Sequence, residues 1–149
     1  MKLIIASLIV FSIVILFLFA LFPSDISVSR LVQIRASPQE VQKKISDLTD
    51  WRSWNDMMIT RPDSNNNLSI EVLKVAADTV ITKWTNGRKS FTGTYIMTEM
   101  NGQTVLEWTL KFHIKWYPWE KLASMFYDKQ LGPVMENSLL KLRNEMEAK

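Results

Sequence analysis

Phe91-Thr92-Gly93-Thr94-Tyr95-Ile96-Met97-Thr98-Glu99-Met100-Asn101-Gly102-Gln103-Thr104-Val105-Leu106-Glu107-Trp108-Thr109-Leu110-Lys111-Phe112 is two alternating runs joined by Asn-Gly. Asn-Gly between such runs marks a two-residue hairpin turn that needs positive φ at both positions. Folding the chain there sets Met97 opposite Leu106, Tyr95 opposite Trp108, Gly93 opposite Leu110 and Phe91 opposite Phe112. The other face pairs Thr94 with Thr109, Thr92 with Lys111, and Ser90 with His113. One face is apolar and the other polar, as in a half-buried antiparallel pair. A slip of one residue would turn a whole strand over.

Working outward, Asn86-Gly87 reads as a second turn of the same kind, setting Thr82 opposite Phe91 and Val80 opposite Gly93. A three-residue turn at Ala76-Ala77-Asp78 then adds Ile70 and Val72 to the apolar face, opposite Trp84 and Thr82. Gly93 sits among large inward neighbours, where a strand glycine marks a bend or a bulge. The sheet is therefore expected to be concave on its apolar side. Ile26 to Arg35 makes a further strand with Ile26, Val28, Val32 and Ile34 on one face. Arg30 falls on that face too, against the pattern.

A sheet with one apolar face needs a cover, and the chain from Gly132-Pro133 onward supplies it. Met135, Leu139, Leu142 and Met146 recur at steps of four, three and four, which is one stripe along a helix. Pro133 is expected in its first turn, where no N–H is needed. Ser37-Pro38-Gln39-Glu40 starts another helix, with Ser as cap and Glu closing a capping box; Val41, Ile45 and Leu48 form its stripe. Asp50 is expected to cap a second short turn carrying Trp51 and Trp54. Arg61 to Asn67 is polar, with three Asn in succession, and reads as loop.

Leu3 to Phe22 is an uncharged run; at about 1.5 Å per residue a helix of that length spans roughly 30 Å, the thickness of a bilayer core. It ends in Ala-Leu-Phe-Pro, a poor cleavage site. Residues 1–23 are therefore read as an uncleaved transmembrane signal-anchor, with a cleaved signal as the second reading, and 24–149 as one domain. Pro23-Ser24-Asp25 is the whole linker, with a reach of roughly 10 Å, so the domain is expected to sit against the membrane. Lys2 on one side and Arg30 and Arg35 on the other give a weak charge bias. A single N-terminal anchor usually keeps its short end in the cytosol, which places the domain on the extracytoplasmic side.

The absence of cysteine excludes disulfides, thiolate metal sites and a Cys nucleophile. The 18 basic and 15 acidic side chains are interleaved, so the net charge of +3 does not describe a nucleic-acid surface. Six Trp, seven Phe and eight Met are the stronger bias, and they furnish either a core or an apolar pocket.

The order is strand, two short helices, antiparallel meander, long C-terminal helix. It resembles the helix-grip fold of the START-like superfamily (SRPBCC), which includes polyketide cyclase/dehydrase-like and lipid-transfer members. The residues that carry the likeness are Val32-Gln33-Ile34-Arg35-Ala36-Ser37-Pro38-Gln39-Glu40-Val41 and Ile45-Ser46-Asp47-Leu48 with Trp51 and Trp54-Asn55. Leu131-Gly132-Pro133 with Glu136, Leu139 and Leu142 is similar to the start of the gripped helix. The resemblance implies an α+β fold, a curved antiparallel sheet wrapped on a long C-terminal helix. One transmembrane helix precedes it, as in membrane-anchored bacterial members. It implies a cavity between sheet and helix, and no shared catalytic set. The chain falls short of a full member by one hairpin, between Trp54 and Leu68.

On that frame the candidate cavity lining is Trp54, Trp84, Phe91, Tyr95, Trp108, Leu110, Phe112, Met135 and Leu139. Trp116, Tyr117, Trp119 and Phe126 form a separate group, and Trp119, Leu122, Ala123 and Phe126 make a second, shorter stripe. They have three readings: a lid over the pocket mouth, an interfacial aromatic belt in the bilayer, or packing against the long helix. One His and no Cys count against a metal site, and no cofactor is expected. His113 falls on the outward face, away from any pocket serine, and no Gly-rich loop could cradle phosphate. Tyr95, Thr82 and Arg30 are the inward polar groups, without a carboxylate beside them, so no catalytic residue is assigned.

Three functions follow, in this order. The first is a membrane-tethered, non-enzymatic binding domain for an apolar small molecule, a lipid or isoprenoid. The second is a structural or interaction module with a filled core beside a membrane partner. The third is an enzyme of the cyclase or dehydratase kind. Nucleic acid is not an expected partner, and the sequence names no protein partner.

Overall fold

In a computed structural model, which describes residues 2–21, 23–59, 68–87 and 89–148, the Asn101-Gly102 hairpin forms in the expected register. Met97 faces Leu106, Tyr95 faces Trp108, Gly93 faces Leu110 and Phe91 faces Phe112. Asn101 at φ 53 and Gly102 at φ 74 supply the left-handed pair that the turn needs. This hairpin joins β4 (Lys89–Met100) to β5 (Gln103–His113) at the centre of a curved antiparallel sheet. Around it lie β1 (Asp25–Ile34), β2 (Leu68–Ala76) and β3 (Thr79–Asn86), in the order β1-β5-β4-β3-β2.

An apolar helix, α1 (Lys2–Leu21), precedes β1 and is long and apolar enough to cross a membrane. Three short helices, α2 (Pro38–Ser46), α3 (Trp51–Trp54) and α4 (Asp56–Ile59), follow β1. After β5 come α5 (Pro118–Ser124) and the long α6 (Tyr127–Glu147). The inner face of the sheet is shared: α6 runs along β1 and meets α3 and α4, while α2 covers β3 to β5. The arrangement is an α+β helix grip. The expected polar loop Arg61 to Asn67 lies outside the described residues.

The capping box at Ser37 forms as expected, with Glu40 N–H bonded to Ser37 and the Glu40 carboxylate accepting from Ser37 N–H at 3.1 Å. Asp50 stands at the N-cap of α3 as expected, but its side chain makes no capping bond there. The side-chain cap belongs to Asp47, whose carboxylate accepts from Thr49 N–H at 3.0 Å at the start of a short 3-10 turn, Leu48–Asp50. Those bonds hold the Asp47 carboxyl below the usual range.

Two turns differ from expectation. Asn86 pairs with Lys89, so the second hairpin is centred one residue later than Asn86-Gly87, with Gly87 at φ +59. Each partner moves by two: Thr82 faces Gly93 and Trp84 faces Phe91. A shift of two preserves the alternation, so the apolar face survives. At the third hairpin Ile70 faces Trp84 and Val72 faces Thr82 as read, yet the turn itself has two residues, because Ala76 pairs with Thr79. The extra residue is absorbed by a β-bulge at Leu73, between Val72 and Lys74.

Pro133 is not in the first turn of the long helix. The helix begins at Tyr127 and carries Pro133 in its interior. The stripe is otherwise as read, with Met135, Leu139 and Leu142 buried and Met146 packed on the core. Gly93 marks no bulge, since its pairing is regular on both sides. It lacks a side chain because a Cβ there would lie 2.7 Å from Thr82 Oγ1 and 2.8 Å from Trp84 Nε1. Arg30 does face inward, opposite Trp108. Its guanidinium lies on Gly132 of α6, where a Cβ would overlap it, and bonds Asp128 at 3.0 Å and Ser29 O at 2.7 Å. A glycine on the helix thus makes room for an inward arginine.

Candidate functional site

Alternation along β3, β4 and β5 points Trp84, Tyr95, Trp108 and Leu110 at the helices. A spacing of three puts Trp51 and Trp54 on one side of α3, and the α6 stripe brings Met135 and Leu139. Together they form one cluster, each at most 1 % exposed. The rings touch. Tyr95 stacks on Trp108 with centroids 5.3 Å apart, Trp84 stacks on Trp108 at 6.2 Å, and Trp54 meets Trp108 edge-on at 6.4 Å. Trp51 joins from above, 5.3 Å from Trp54 and 5.7 Å from Tyr95.

The polar atoms on these rings divide into two groups. Trp51 Nε1 donates to Ile45 O at 2.8 Å, and Trp84 Nε1 donates to Thr82 Oγ1 at 2.9 Å. Trp54 Nε1, Trp108 Nε1 and the Tyr95 hydroxyl are buried with no hydrogen-bond partner among the described residues, as are Asn55 Nδ2 and Ser46 Oγ. Leaving a donor buried and unpaired costs about 1–3 kcal/mol each, and folded proteins keep few of them. Burial pushes the Tyr95 phenol well above its ordinary range, so it stays protonated and keeps an unused O–H. Such a set can bind an acceptor oxygen in apolar surroundings.

A line of rings leads outward from this cluster. Trp84 stacks on Phe91 at 5.6 Å, Phe91 meets Phe112 at 4.8 Å, and Phe112 meets Tyr127 edge-on at 5.2 Å. Phe91, Phe112 and Tyr127 are half-buried. They stand at the end of the sheet where β1 begins, with Ile26 opposite Phe112. A depression of about 500 Å³ opens there, between Ile26, Phe91 and Phe112 and the outward residues Ser27, Lys83, Thr92 and Lys111. It touches the outer rings and none of the unpaired donors.

Of the nine residues expected to line a cavity, Trp54, Trp84, Tyr95, Trp108, Leu110, Met135 and Leu139 are in the buried cluster, and Phe91 and Phe112 are on its rim. Sequence reasoning left Trp51 and Tyr127 out of that lining. Trp51 was findable from its spacing to Trp54, whereas Tyr127 lay ahead of the expected helix start. Asn55, fully buried with its Nδ2 unpaired, entered the sequence reading only through the resemblance and not as a site residue.

Trp116, Trp119 and Phe126 do not pack against the long helix; they are exposed, together with Leu122 and Met125. Tyr117 is half-buried and stacks parallel to Trp119 at 4.9 Å. The side of α5 that turns inward is polar, with Lys121 and Ser124 buried. Lys121 Nζ donates to Phe19 O of α1 at 2.8 Å. His113 is outward and exposed, bonded to Asp25 at 2.8 Å. Among the described residues no three His, Asp or Glu converge to hold a metal ion.

Among solved structures the fold is similar to the di-domain ARO/CYC protein StfQ of the steffimycin biosynthetic pathway, with a TM-score of 0.61 and 11% identity. That match covers 83% of this chain and 52% of StfQ. XoxI from Bacillus cereus gives a TM-score of 0.61 at 11% identity, covering 80% of this chain and 94% of that one. TTHA0849 from Thermus thermophilus gives 0.52 at 15%, covering 83% and 98%. A search of curated proteins returned no match. The family model described as polyketide cyclase / dehydrase and lipid transport matches residues 25–147, from the first residue of β1 to the last of α6. By that match the chain belongs to the polyketide cyclase / dehydrase and lipid transport family.

Proposed function

We propose that the chain is a membrane-held, non-catalytic binding protein for an apolar small molecule, of lipid or isoprenoid kind, that carries an acceptor oxygen. The observation that carries this reading is the trio of buried, unpaired donors, Trp54 Nε1, Trp108 Nε1 and Tyr95 OH. A core that served packing alone gains nothing from them, while an oxygen placed among them recovers the lost hydrogen bonds. Transfer of the ligand's apolar part from water contributes roughly 25 cal/mol per Å² buried. Because the rings touch, the ligand enters as side chains part, and the half-buried Phe91, Phe112 and Tyr127 are the way in. In this reading residues 1–23 anchor the chain and residues 24–149 bind, on the extracytoplasmic side. The anchor raises the effective concentration of the site near lipid.

Native mass spectrometry of the full chain released from detergent tests the reading. The expected result is a reproducible extra mass, lost on organic extraction and identified as a molecule with a carbonyl or hydroxyl. Tyr95→Phe, which removes one donor and keeps the ring, should weaken or lose that mass while the melting temperature holds. A clean apo mass that gains nothing when lipids are offered would overturn it. The close ring contacts favour a second reading, a filled core beside a membrane partner. In that case nothing binds, and removing the unpaired donors raises stability.

A further inference from the structure

Resting on the reading of α1 as a membrane helix, we infer that the exposed face of α5 seats in the interface of the same lipid bilayer. The face consists of Trp116, Trp119, Leu122, Met125 and Phe126, between 49% and 66% exposed. An apolar side of that size turned outward on an amphipathic helix needs an occupant. The inward side of the helix identifies it.

Lys121 is 5% exposed and reaches the carbonyl of Phe19 in the last turn of α1. That turn has no basic residue of its own, so the C-terminal carbonyls of α1 take their cation from α5. Phe19 lies two residues before the end of α1, about 3 Å along a helix axis. The contact therefore fixes α5 at the depth where α1 leaves the hydrocarbon. The three residues between α1 and β1 leave little slack for any other height.

Charge on α5 agrees with this seat. Its one acidic side chain, Glu120, is half-buried, accepting from Lys115 N–H at 3.1 Å and facing Lys89 Nζ at 3.7 Å. Trp116 and Trp119, with Tyr117 between them, are the residues that prefer the headgroup level. Leu122, Met125 and Phe126 continue the same side. A lid would have turned these side chains inward over the rings of the core, and they point away. The consequence for binding is positional: the half-buried end of the ring line, where β1 starts, is held beside the bilayer surface.

The chain has no cysteine, so single-cysteine variants of the full chain carry one nitroxide each. Leu122→Cys and Met125→Cys probe the face, Ile13→Cys probes α1, and Leu31→Cys on the outward side of β1 is the aqueous reference. The chain is placed in phosphatidylcholine vesicles, and collisions with dissolved oxygen and with a water-soluble nickel chelate are compared. The expected result puts positions 122 and 125 roughly 5–10 Å into the headgroup and acyl boundary. Ile13→Cys should lie deeper, and Leu31→Cys should be open to nickel. Labels at 122 and 125 as open to nickel as Leu31→Cys, with Ile13→Cys in lipid, would overturn the docking and leave the anchor standing. Labels at 122 and 125 shielded from both reagents would overturn it in favour of a protein cover. Ile13→Cys open to nickel would remove the anchor and the docking together. Ligand binding is read independently, by mass.

Discussion

Thr82 links two strands and the aromatic core. Its buried hydroxyl donates to Gly93 O at 3.2 Å and accepts from Trp84 Nε1, and Gly93 is bare because both groups press against it. Thr82→Val keeps the shape but strands the indole N–H, so it should cost about 1–3 kcal/mol in urea unfolding. Trp84→Phe in that background should cost less than it does in the wild type. The sequence marked Gly93 as special but suggested a bend, because alternation shows which side a residue faces and not what lies over it. Arg30 was unreadable for a related reason: Gly132 and Asp128 meet it only across the folded chain. Titration offers a second check. Burial holds the Tyr95 proton on the folded protein beyond the point, near pH 10, where an unfolded chain releases it. For Lys44 burial works downward, but hydrogen bonds to Asp50 and Glu145 outweigh it and raise its pKa. Both groups therefore contribute stability that is complete below about pH 10 and lost as the pH rises further. The urea midpoint should fall on going alkaline, and less steeply in Tyr95→Phe.

Among the elements, α6 shows both what periodicity reveals and what it hides. Its stripe was legible because Met135, Leu139 and Leu142 must all reach one sheet. Its start was not: a proline was assigned the position that prolines prefer, and Tyr127 to Leu131 carry three exposed polar residues that announce nothing. With Pro133 inside the helix, Lys129 C=O lacks its usual donor, and both residues are exposed. Pro133→Ala should therefore stabilise the chain by about 1–3 kcal/mol, seen as a higher thermal midpoint. A lower midpoint would mean that the ring is part of the helix packing. The α5 stripe gives the complementary lesson. A period of three and four shows that a helix has an apolar side, but not what covers it, and here the buried side is the polar one.

For the whole molecule, alternation and the hairpin turns were enough to reach four strands, their order and the inward set of aromatics, but not the place of β1 beside β5, which no turn links. The unpaired state of Trp54, Trp108 and Tyr95 was beyond reach, since it depends on which carbonyls the helices bring over the sheet. The bulge at Leu73 was hidden too, compensated by a shorter turn that left the far pairs unchanged. Its effect extends beyond the monomer. β2 ends the sheet, and among the described residues no strand pairs beyond it. A straight strand in that position is a template on which identical chains polymerise. An extra residue midway throws the donors and acceptors out of step, so a second β2 cannot align along its length. Deleting Leu73 should leave the fold intact yet produce oligomers that grow with concentration in sedimentation. The unaltered chain should remain a single species, kept from fibrous growth by one unpaired leucine.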